Sequence, residues 1–379
     1  MPLRYTLREG ELMPRRVANA AATIPDQFFT DELVGETPPS HSTMQRLYDV
    51  ALELITLQPW HVLDESELVL CRDSATGETC YCSAMGALGE VLVVQAYIGA
   101  KGYRLFRRVE AGEVSGAGDF YEAQHSVYME FVLKEELDAR DRKLLRALGH
   151  PSAAKGAPVF RACRPGFFPW YVTEQEARLL EECLRAVIVT CHAVINQDGK
   201  TLWQRPYTYP MVSRLDEKEA GYRIELVEAT LPKEPPLAKL QLGPEELRRL
   251  HKQDYAIRGV LELDHFSSGA QLGSKNQRKG CVGVAMAVDS ETGLVFPPEM
   301  AAPGDSIANA LGRAILRASE VRRAFPREVR VSQRKYKDCL DPISEVCGFP
   351  VNVVRSLPAL AQARESILRM MSGQAPIGF

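Results

Sequence analysis

Two carboxylates stand two residues apart on a predicted strand in the last third of the chain. The strand reads Gly-Val-Leu-Glu-Leu-Asp-His from Gly259 to His265, which places Glu262 and Asp264 between apolar residues. Because side chains alternate along a strand, both acids point to one face and the leucines between them point to the other. Two such carboxylates can share a hard cation such as Mg²⁺ or Mn²⁺, which takes oxygen ligands and keeps water for hydrolysis. Glu262 and Asp264 are therefore the candidate catalytic and metal-binding residues.

Two basic clusters form a second candidate site. Three of these residues lie in the loop between the first two strands of the region, and two follow its fourth strand. Basic side chains contact phosphates without reading base sequence, and ligands of open α/β sheets bind beyond the carboxyl ends of strands. The alternative is that both clusters are solvated charge runs. The candidate nucleic-acid-binding or phosphate-binding residues are Lys275, Arg278, Lys279, Arg334 and Lys335.

The elements that must position these residues come in a recognisable order. Hydrophobic periodicity predicts three strands, followed by helix, strand, helix, strand and helix. The second strand is apolar at nearly every position, as expected for a strand covered on both faces. The predicted elements are strands 259–266, 281–289 and 293–299, a helix around 307–318, strand 328–332, helix 336–347, strand 351–355 and helix 357–371. This βββαβαβα order resembles the ribonuclease H-like fold.

The ribonuclease H-like resemblance implies further acids that this sequence does not supply. Enzymes of that fold carry acidic residues on the first strand and near the end of the fourth, where they hold two divalent metal ions. Here the fourth strand ends in Ser332 and Gln333. An incomplete ligand set argues against catalysis, in which case Glu262 and Asp264 face solvent or a basic neighbour.

Upstream of residue 259 the sequence divides into three further parts. Residues 1–43 are rich in proline and lack periodicity, which predicts an irregular N-terminal arm. Residues 44–155 predict an N-terminal α/β domain, in which the pattern favours a helix at 88–98 and a strand at 103–109. Residues 156–258 predict a connecting segment with a long helix and a strand pair.

A five-residue turn occurs in both halves of the chain. Asp-Ser-Ala-Thr-Gly at 73–77 and Asp-Ser-Glu-Thr-Gly at 289–293 agree at four positions. One interpretation is an internal duplication, which makes the N-terminal α/β domain a diverged relative of the C-terminal one. The other is that aspartate, serine, threonine and glycine are simply the residues that such a turn requires.

Composition excludes several classes of protein. The 379 residues carry a net charge of −3, with 45% apolar and 25% charged residues, as soluble proteins do. We find no apolar run that could span a bilayer and no secretory signal, so no membrane contact is predicted. The nine cysteines are odd in number and never spaced Cys-x-x-Cys, which favours reduced thiols and a cytoplasmic location.

The sequence also lacks the familiar signatures of several enzyme classes. It contains no P-loop, no dinucleotide-binding glycine motif, no Gly-x-Ser-x-Gly and no His-Glu-x-x-His. No cofactor is therefore predicted, apart from Mg²⁺ or Mn²⁺ if the two carboxylates bind metal. Residues 259–379 hold 15 Lys and Arg against 12 Asp and Glu, which hints at an anionic partner.

Three stretches carry a resemblance to a known family: 73–90, 164–177 and 325–331. They resemble a family of bacterial proteins that carry two successive domains of unknown function. The resemblance implies a bacterial cytoplasmic protein and transfers no catalytic residue.

The sequence is compatible with two functions. The first is a non-catalytic binding protein, whose degenerate ribonuclease H-like domain contacts nucleic acid or a protein partner. The alternative is a divalent-metal-dependent nuclease or phosphotransferase that uses Glu262 and Asp264. The sequence predicts no oligomeric state for either.

Overall fold

The protein has a mixed α/β structure, as the sequence predicts. The computed structural model describes residues 3–5, 25–89, 91–114, 117–150, 156–196, 202–215, 221–231, 233–243, 245–246 and 255–371. Within these ranges the chain forms three sheets and eight α-helices. None of these helices combines the length and the apolar composition needed to cross a membrane.

The chain divides into two compact units. The N-terminal unit comprises residues 1–115, 123–232 and 273–279, and the C-terminal unit comprises residues 116–122, 233–272 and 280–379. Each unit has its own sheet and its own hydrophobic core.

The N-terminal unit is built on an eight-stranded sheet. Its strands are β1 (Leu3–Tyr5), β2 (Val69–Arg72), β3 (Thr79–Met85), β4 (Leu92–Ile98), β5 (Ser126–Val132), β6 (Ala157–Cys163), β7 (Thr208–Arg214) and β8 (Tyr222–Glu228). Its helices are α1 (His41–Leu57), a 3-10 turn (Pro59–His61), α2 (Gly99–Glu110), α4 (Ala139–Ala147) and α5 (Glu174–Asn196). The strand order is β1-β8-β7-β2-β3-β4-β5-β6, and only β2 and β7 pair in parallel.

Helices cover both faces of this sheet. The long helix α5 packs beside α1 on the face that carries Val69, Cys80 and Val94. Helix α2 covers the opposite face, where Tyr103 stacks on Tyr81 with ring centroids 4.3 Å apart. Burial of these apolar side chains is what holds the layers together.

The C-terminal unit contains a five-stranded sheet with helices on both sides. Its elements are α3 (Ala117–Ala123), β9 (Ala256–Ile257), β10 (Val260–Leu272), β11 (Gly280–Asp289), β12 (Glu299–Ala301), α6 (Ile307–Arg322), β13 (Ala324–Phe325), β14 (Glu328–Val331), α7 (Arg334–Cys347), β15 (Val351–Val353) and α8 (Pro358–Met371). The strand order is β12-β11-β10-β14-β15, with β10, β14 and β15 parallel and β11 antiparallel to its neighbours. Strands β9 and β13 form a separate two-stranded sheet.

The alternation of side chains along β10 decides what each helix covers. Leu261 and Leu263 share a buried cluster with residues of α6 and α7. Phe266 lies in a second cluster with Leu357 and Leu360, at the start of α8. The acids at 262 and 264 therefore point to the α8 side of the sheet.

The predicted domain boundaries differ from the observed units. The segment predicted as a connection, 156–258, supplies β6, α5, β7 and β8 to the N-terminal unit. The predicted irregular arm, 1–43, contributes β1, which pairs with β8, and residues 6–24 of that arm lie outside the described residues. Hydrophobic periodicity indicates where helices and strands lie but does not show which strands pair with each other. This explains why the predicted boundaries differ from the observed units.

For two adjacent elements, the predicted type of secondary structure is wrong: the predicted helix is a strand, and the predicted strand is part of a helix. Residues 92–98, within the predicted helix 88–98, form strand β4, and the predicted strand 103–109 lies within helix α2. Val93 and Val94 are β-branched, which favours a strand. Gly102 lies where an added Cβ would be 2.7 Å from the His125 carbonyl oxygen, so glycine lets α2 approach the sheet closely.

The repeated turn has the same hydrogen bonding in both units. The Asp73 carboxylate accepts a bond from the Ala75 N–H, and the Asp289 carboxylate accepts one from the Glu291 N–H. Gly77 and Gly293 both adopt positive φ angles, 74° and 72°. Because the two units have different strand orders, the chemistry of the turn is sufficient to explain the similarity.

Candidate functional site

Glu262 is turned inward, toward helix α8. Its side chain is only 2% exposed, and its Oε2 accepts a hydrogen bond of 2.9 Å from the backbone N–H of Leu360. Leu360 is the third residue of α8, so the carboxylate satisfies one of the N–H groups that a helix start leaves unpaired. A negative charge at this end also interacts favourably with the helix dipole. The geometry assigns Glu262 a role in holding α8 against β10.

Asp264 lies two residues further along β10, at the edge of an open cleft. Its Oδ2 accepts a bond of 3.3 Å from the Ser332 hydroxyl, and its Oδ1 accepts one of 2.9 Å from the His265 N–H. Burial raises the pKa of Asp264 above its ordinary value, and these hydrogen bonds, together with the charge of Arg364, act in the opposite direction. Asp264 thus has a hydroxyl and a guanidinium as neighbours.

The cleft lies beyond the carboxyl ends of β14 and β15, beside the start of α8. Its volume is about 400 Å³, within the range of small-molecule sites. Its lining comprises Asp264, Ser332, Arg355, Ser356, Leu357, Leu360, Ala361, Arg364 and Glu365. Two arginines and two serine hydroxyls therefore meet in one concavity.

The two arginines differ in how they are held. Arg355 follows β15 and is exposed. Arg364 is half-buried, and its guanidinium carbon lies 4.6 Å from the centroid of the Phe266 ring. Stacking on an aromatic ring fixes the plane of a guanidinium, which then presents a fork of donors to an anion. Arginine forks match phosphate oxygens in a bidentate way, so the cleft is suited to a phosphate group.

The carboxylates do not assemble a metal site with their neighbours. In the described part of the chain, neither Glu262 nor Asp264 belongs to a group of three His, Cys, Asp or Glu side chains close enough to share an ion. Ser332 stands at the end of β14, where the metal hypothesis requires an acid. Glu365 adds a carboxylate to the cleft that the sequence interpretation did not include.

The basic loop residues are placed in the N-terminal unit. The Arg278 side chain is 7% exposed there, and its guanidinium donates to the Ala162 and Tyr171 carbonyl oxygens at 3.0 and 3.5 Å. It also lies 3.8 Å from carboxylate oxygens of Glu36 and of Glu176. Burial lowers the pKa of Arg278, as expected for a charge held away from water. Arg278 therefore stabilises the N-terminal unit, and its side chain is not presented to a phosphate.

The other two loop lysines have different surroundings. The Lys279 ammonium donates to the carbonyl oxygens of Gly273 and Ser274, which closes the loop on itself. Lys275 is exposed and borders a shallow concavity shared with Thr30 and Asp31. Of the three basic residues in this loop, only Lys275 is exposed.

The basic pair after β14 is at the surface of the C-terminal unit. The Arg334 side chain is 85% exposed and lies 3.8 Å from the Asp338 carboxylate, one turn along α7. Lys335 donates to Glu234 at 3.3 Å and lies over the Tyr336 ring. Both side chains follow Ser332 in the chain but are not among the residues that line the cleft.

His265 points away from the acids, as strand alternation predicts. It is 8% exposed, and its Nδ1 lies 3.4 Å from a carboxylate oxygen of Glu122. A Cβ at Gly283 would be 2.5 Å from its Nε2, so glycine is needed there to make room for the ring. His265 therefore does not serve as a general base for the cleft.

Comparison with protein families finds two successive matches. A domain of unknown function, DUF7309, matches residues 45–208, and a second domain of unknown function, DUF6930, matches residues 246–368. No curated protein matches the chain. All residues that line the cleft fall within the second match.

Proposed function

The chain carries these two domains of unknown function in succession, and from the geometry of its cleft we propose that it is a non-catalytic nucleic-acid-binding protein of the bacterial cytoplasm. The C-terminal unit is a degenerate ribonuclease H-like domain in this proposal. Arg355 and Arg364 contact the phosphate backbone of the ligand, with Ser356 as a hydroxyl donor.

The arrangement of strands supports the choice of fold. Strand order β12-β11-β10-β14-β15 places β10 at the centre, flanked by an antiparallel hairpin on one side and parallel strands on the other. Asp264 on β10 and Ser332, directly after β14, then meet at the carboxyl end of β14. That edge is also where ligands of open α/β sheets bind.

The bond between Glu262 and the Leu360 N–H is the observation that carries the non-catalytic part of the proposal. Oε2 of Glu262 accepts this bond and the side chain is buried, so reorientation of the carboxylate toward a metal ion would leave the Leu360 N–H without its acceptor. A buried helix end without its acceptor costs about 1–3 kcal/mol. The second acid, Asp264, shares its surroundings with Arg364, whose positive charge opposes a divalent cation at the same place.

The donor groups of the cleft suit a phosphate group. Two guanidiniums offer bidentate donors, and Ser356 offers a hydroxyl, which is the donor set of a backbone contact that does not read sequence. A nucleic acid presents such phosphates in a row, and the exposed Arg334, two residues after Ser332 in the chain, offers a further basic group in this proposal. The net positive charge of residues 259–379 agrees with this choice.

Fluorescence anisotropy with the full-length protein tests the proposal. Labelled single-stranded RNA, single-stranded DNA and duplex DNA of equal length are titrated in the presence of a chelator. We expect saturable binding of at least one of them without metal, and weaker binding by about tenfold or more in the variant Arg355→Ala/Arg364→Ala. Arg317→Ala is the matched control, since Arg317 lies on α6, on the other face of the sheet. Equal affinity of the double variant and the wild type would contradict the proposal.

The alternative, a metal-dependent nuclease or phosphotransferase, makes a different prediction. It requires Mg²⁺ or Mn²⁺ to bind at Glu262 and Asp264, and hence metal-dependent cleavage of the same oligonucleotides. Thermal melting in Mn²⁺ distinguishes the two functions, because a metal bound to the folded state raises its melting temperature. Stabilisation of the wild type that is lost in Glu262→Gln/Asp264→Asn, accompanied by cleavage, would replace our proposal with the alternative.

The proposed location rests on the cysteines and on the family resemblance. All nine cysteines are unpaired, and eight of them are buried. Proteins with many free thiols are typical of reducing compartments.

A further inference from the structure

Four cysteines from three separate elements converge in the core of the N-terminal unit. Cys71 lies on β2, Cys80 and Cys82 lie on β3, and Cys183 lies on α5. Cys71 pairs with Cys80 in the sheet, and Cys82 is two residues further on the same face. Helix α5 covers this face and brings Cys183 to the other three. The cysteine spacing gave no indication of this cluster, because the sequence does not show that Cys183 lies beside the β2–β3 hairpin.

The sulfur atoms are close enough to act as one group. The Sγ atoms of Cys71 and Cys183 are 3.3 Å apart, and those of Cys71, Cys82 and Cys183 all lie within 4.8 Å of one another. Cys80 lies opposite Cys71 on the neighbouring strand but outside this group of three, so its side chain must move toward the group to add a fourth sulfur. In a tetrahedral zinc site with Zn–S bonds of about 2.3 Å, neighbouring sulfurs are roughly 3.8 Å apart. The sulfurs of Cys71, Cys82 and Cys183 are therefore close to this spacing, and Cys80 is the neighbouring thiol that can complete the set.

The surroundings are those of a closed site. The four cysteines are between 0% and 4% exposed, and the side chains around them, such as Val69 and Val187, are apolar. A structural zinc site takes four protein ligands and no water, whereas a catalytic one keeps a position open. A cluster with no solvent access matches the structural type.

We propose that Cys71, Cys80, Cys82 and Cys183 bind one structural Zn²⁺ ion, which ties the β2–β3 hairpin to helix α5. Binding exchanges the thiol protons for the metal, and those protons pass to solvent. The cation offsets part of the charge of the four thiolates, which the apolar core would otherwise disfavour.

The Sγ atoms of Cys71 and Cys183 are already in hydrogen-bond contact, and a cation held between the sulfurs would replace that contact. The proposal does not depend on the function of the C-terminal cleft.

Because the site is closed, metal must enter as the chain folds. The test is therefore to refold the full-length protein anaerobically with Zn²⁺ or with Co²⁺, remove free metal by gel filtration, and measure bound metal by mass spectrometry. We expect one metal ion per chain, and for Co²⁺ the intense thiolate-to-metal absorption and the visible bands of tetrahedral coordination. Refolding without metal should give a lower melting temperature.

Variants identify the ligands. Cys82→Ser and Cys183→Ser should lose the metal, whereas Cys191→Ser should keep it, because Cys191 is buried on the same helix but lies outside the cluster. The Co²⁺ spectrum of the wild type decides the matter even if a variant fails to fold. A wild type that refolds without metal and takes up none would overturn the proposal, and so would a disulfide between Cys71 and Cys183 in the refolded protein.

Discussion

The carboxylate of Glu262, on the central strand β10, accepts a hydrogen bond of 2.9 Å from the backbone N–H of Leu360, at the start of α8. These residues are separated by 98 positions in the sequence. The bond couples the strand that was expected to carry catalysis to the helix that forms one wall of the cleft. The contribution of this bond to the stability of the protein can be measured by replacing Glu262.

Replacement of Glu262 tests that role. Glu262→Ala leaves the Leu360 N–H buried without an acceptor and should lower the free energy of unfolding by about 1–3 kcal/mol. Glu262→Gln retains an oxygen acceptor and loses only the interaction of charge with the helix dipole, about 0.3–1 kcal/mol. Urea denaturation gives both values. A Glu262→Ala protein as stable as the wild type would show that the bond does not hold α8.

Asp264 makes a prediction about pH. Burial raises the pKa of Asp264 in the folded state, so the folded protein holds this proton more tightly than the unfolded chain does. Its ionisation therefore costs stability as the pH rises above the ordinary aspartate value, about 4. Asp264→Asn should become more stable relative to the wild type between about pH 4 and pH 7. Asp338→Asn, a change at an exposed acid on α7, serves as the control. An Asp264→Asn difference that is constant with pH would contradict the assignment.

Replacement of two residues of the basic loop, Arg278 and Lys275, should have different effects on stability. Arg278→Ala removes the bonds to two carbonyl oxygens and leaves Glu36 and Glu176 without this guanidinium, so it should destabilise the protein by about 1–3 kcal/mol. Lys275→Ala, in the same loop, changes an exposed side chain and should alter stability by less than about 0.5 kcal/mol. Thermal melting of both variants measures the contrast. Equal melting temperatures would mean that Arg278 is as dispensable as Lys275.

Sequence periodicity predicted most elements of the C-terminal unit, because their apolar faces are regular. Strand β11 and helices α6, α7 and α8 all lie close to the predicted ranges. The third strand is an exception, since the prediction placed it at 293–299 and β12 spans Glu299–Ala301. Pro297 and Pro298 lack N–H donors, so the chain cannot continue a ladder through them.

The cleft was only partly predictable. Strand alternation correctly placed Glu262 and Asp264 on one face, and the preference for ligands at the carboxyl ends of strands could have indicated Arg355. Arg364 and Glu365 enter the cleft only because α8 docks on the face of Phe266, and that packing depends on contacts distant in sequence. For the same reason the charge pattern alone could not show that Arg278 is buried in the N-terminal unit.

The salt dependence of nucleic-acid affinity tests the central claim most directly. Each arginine that neutralises a phosphate releases a counterion, so the slope of log affinity against log salt counts these contacts. For the oligonucleotide that binds best, Arg355→Ala/Arg364→Ala should reduce this slope by about two, while Arg317→Ala leaves it unchanged. A slope that is the same in the wild type and the double variant would contradict phosphate binding in the cleft.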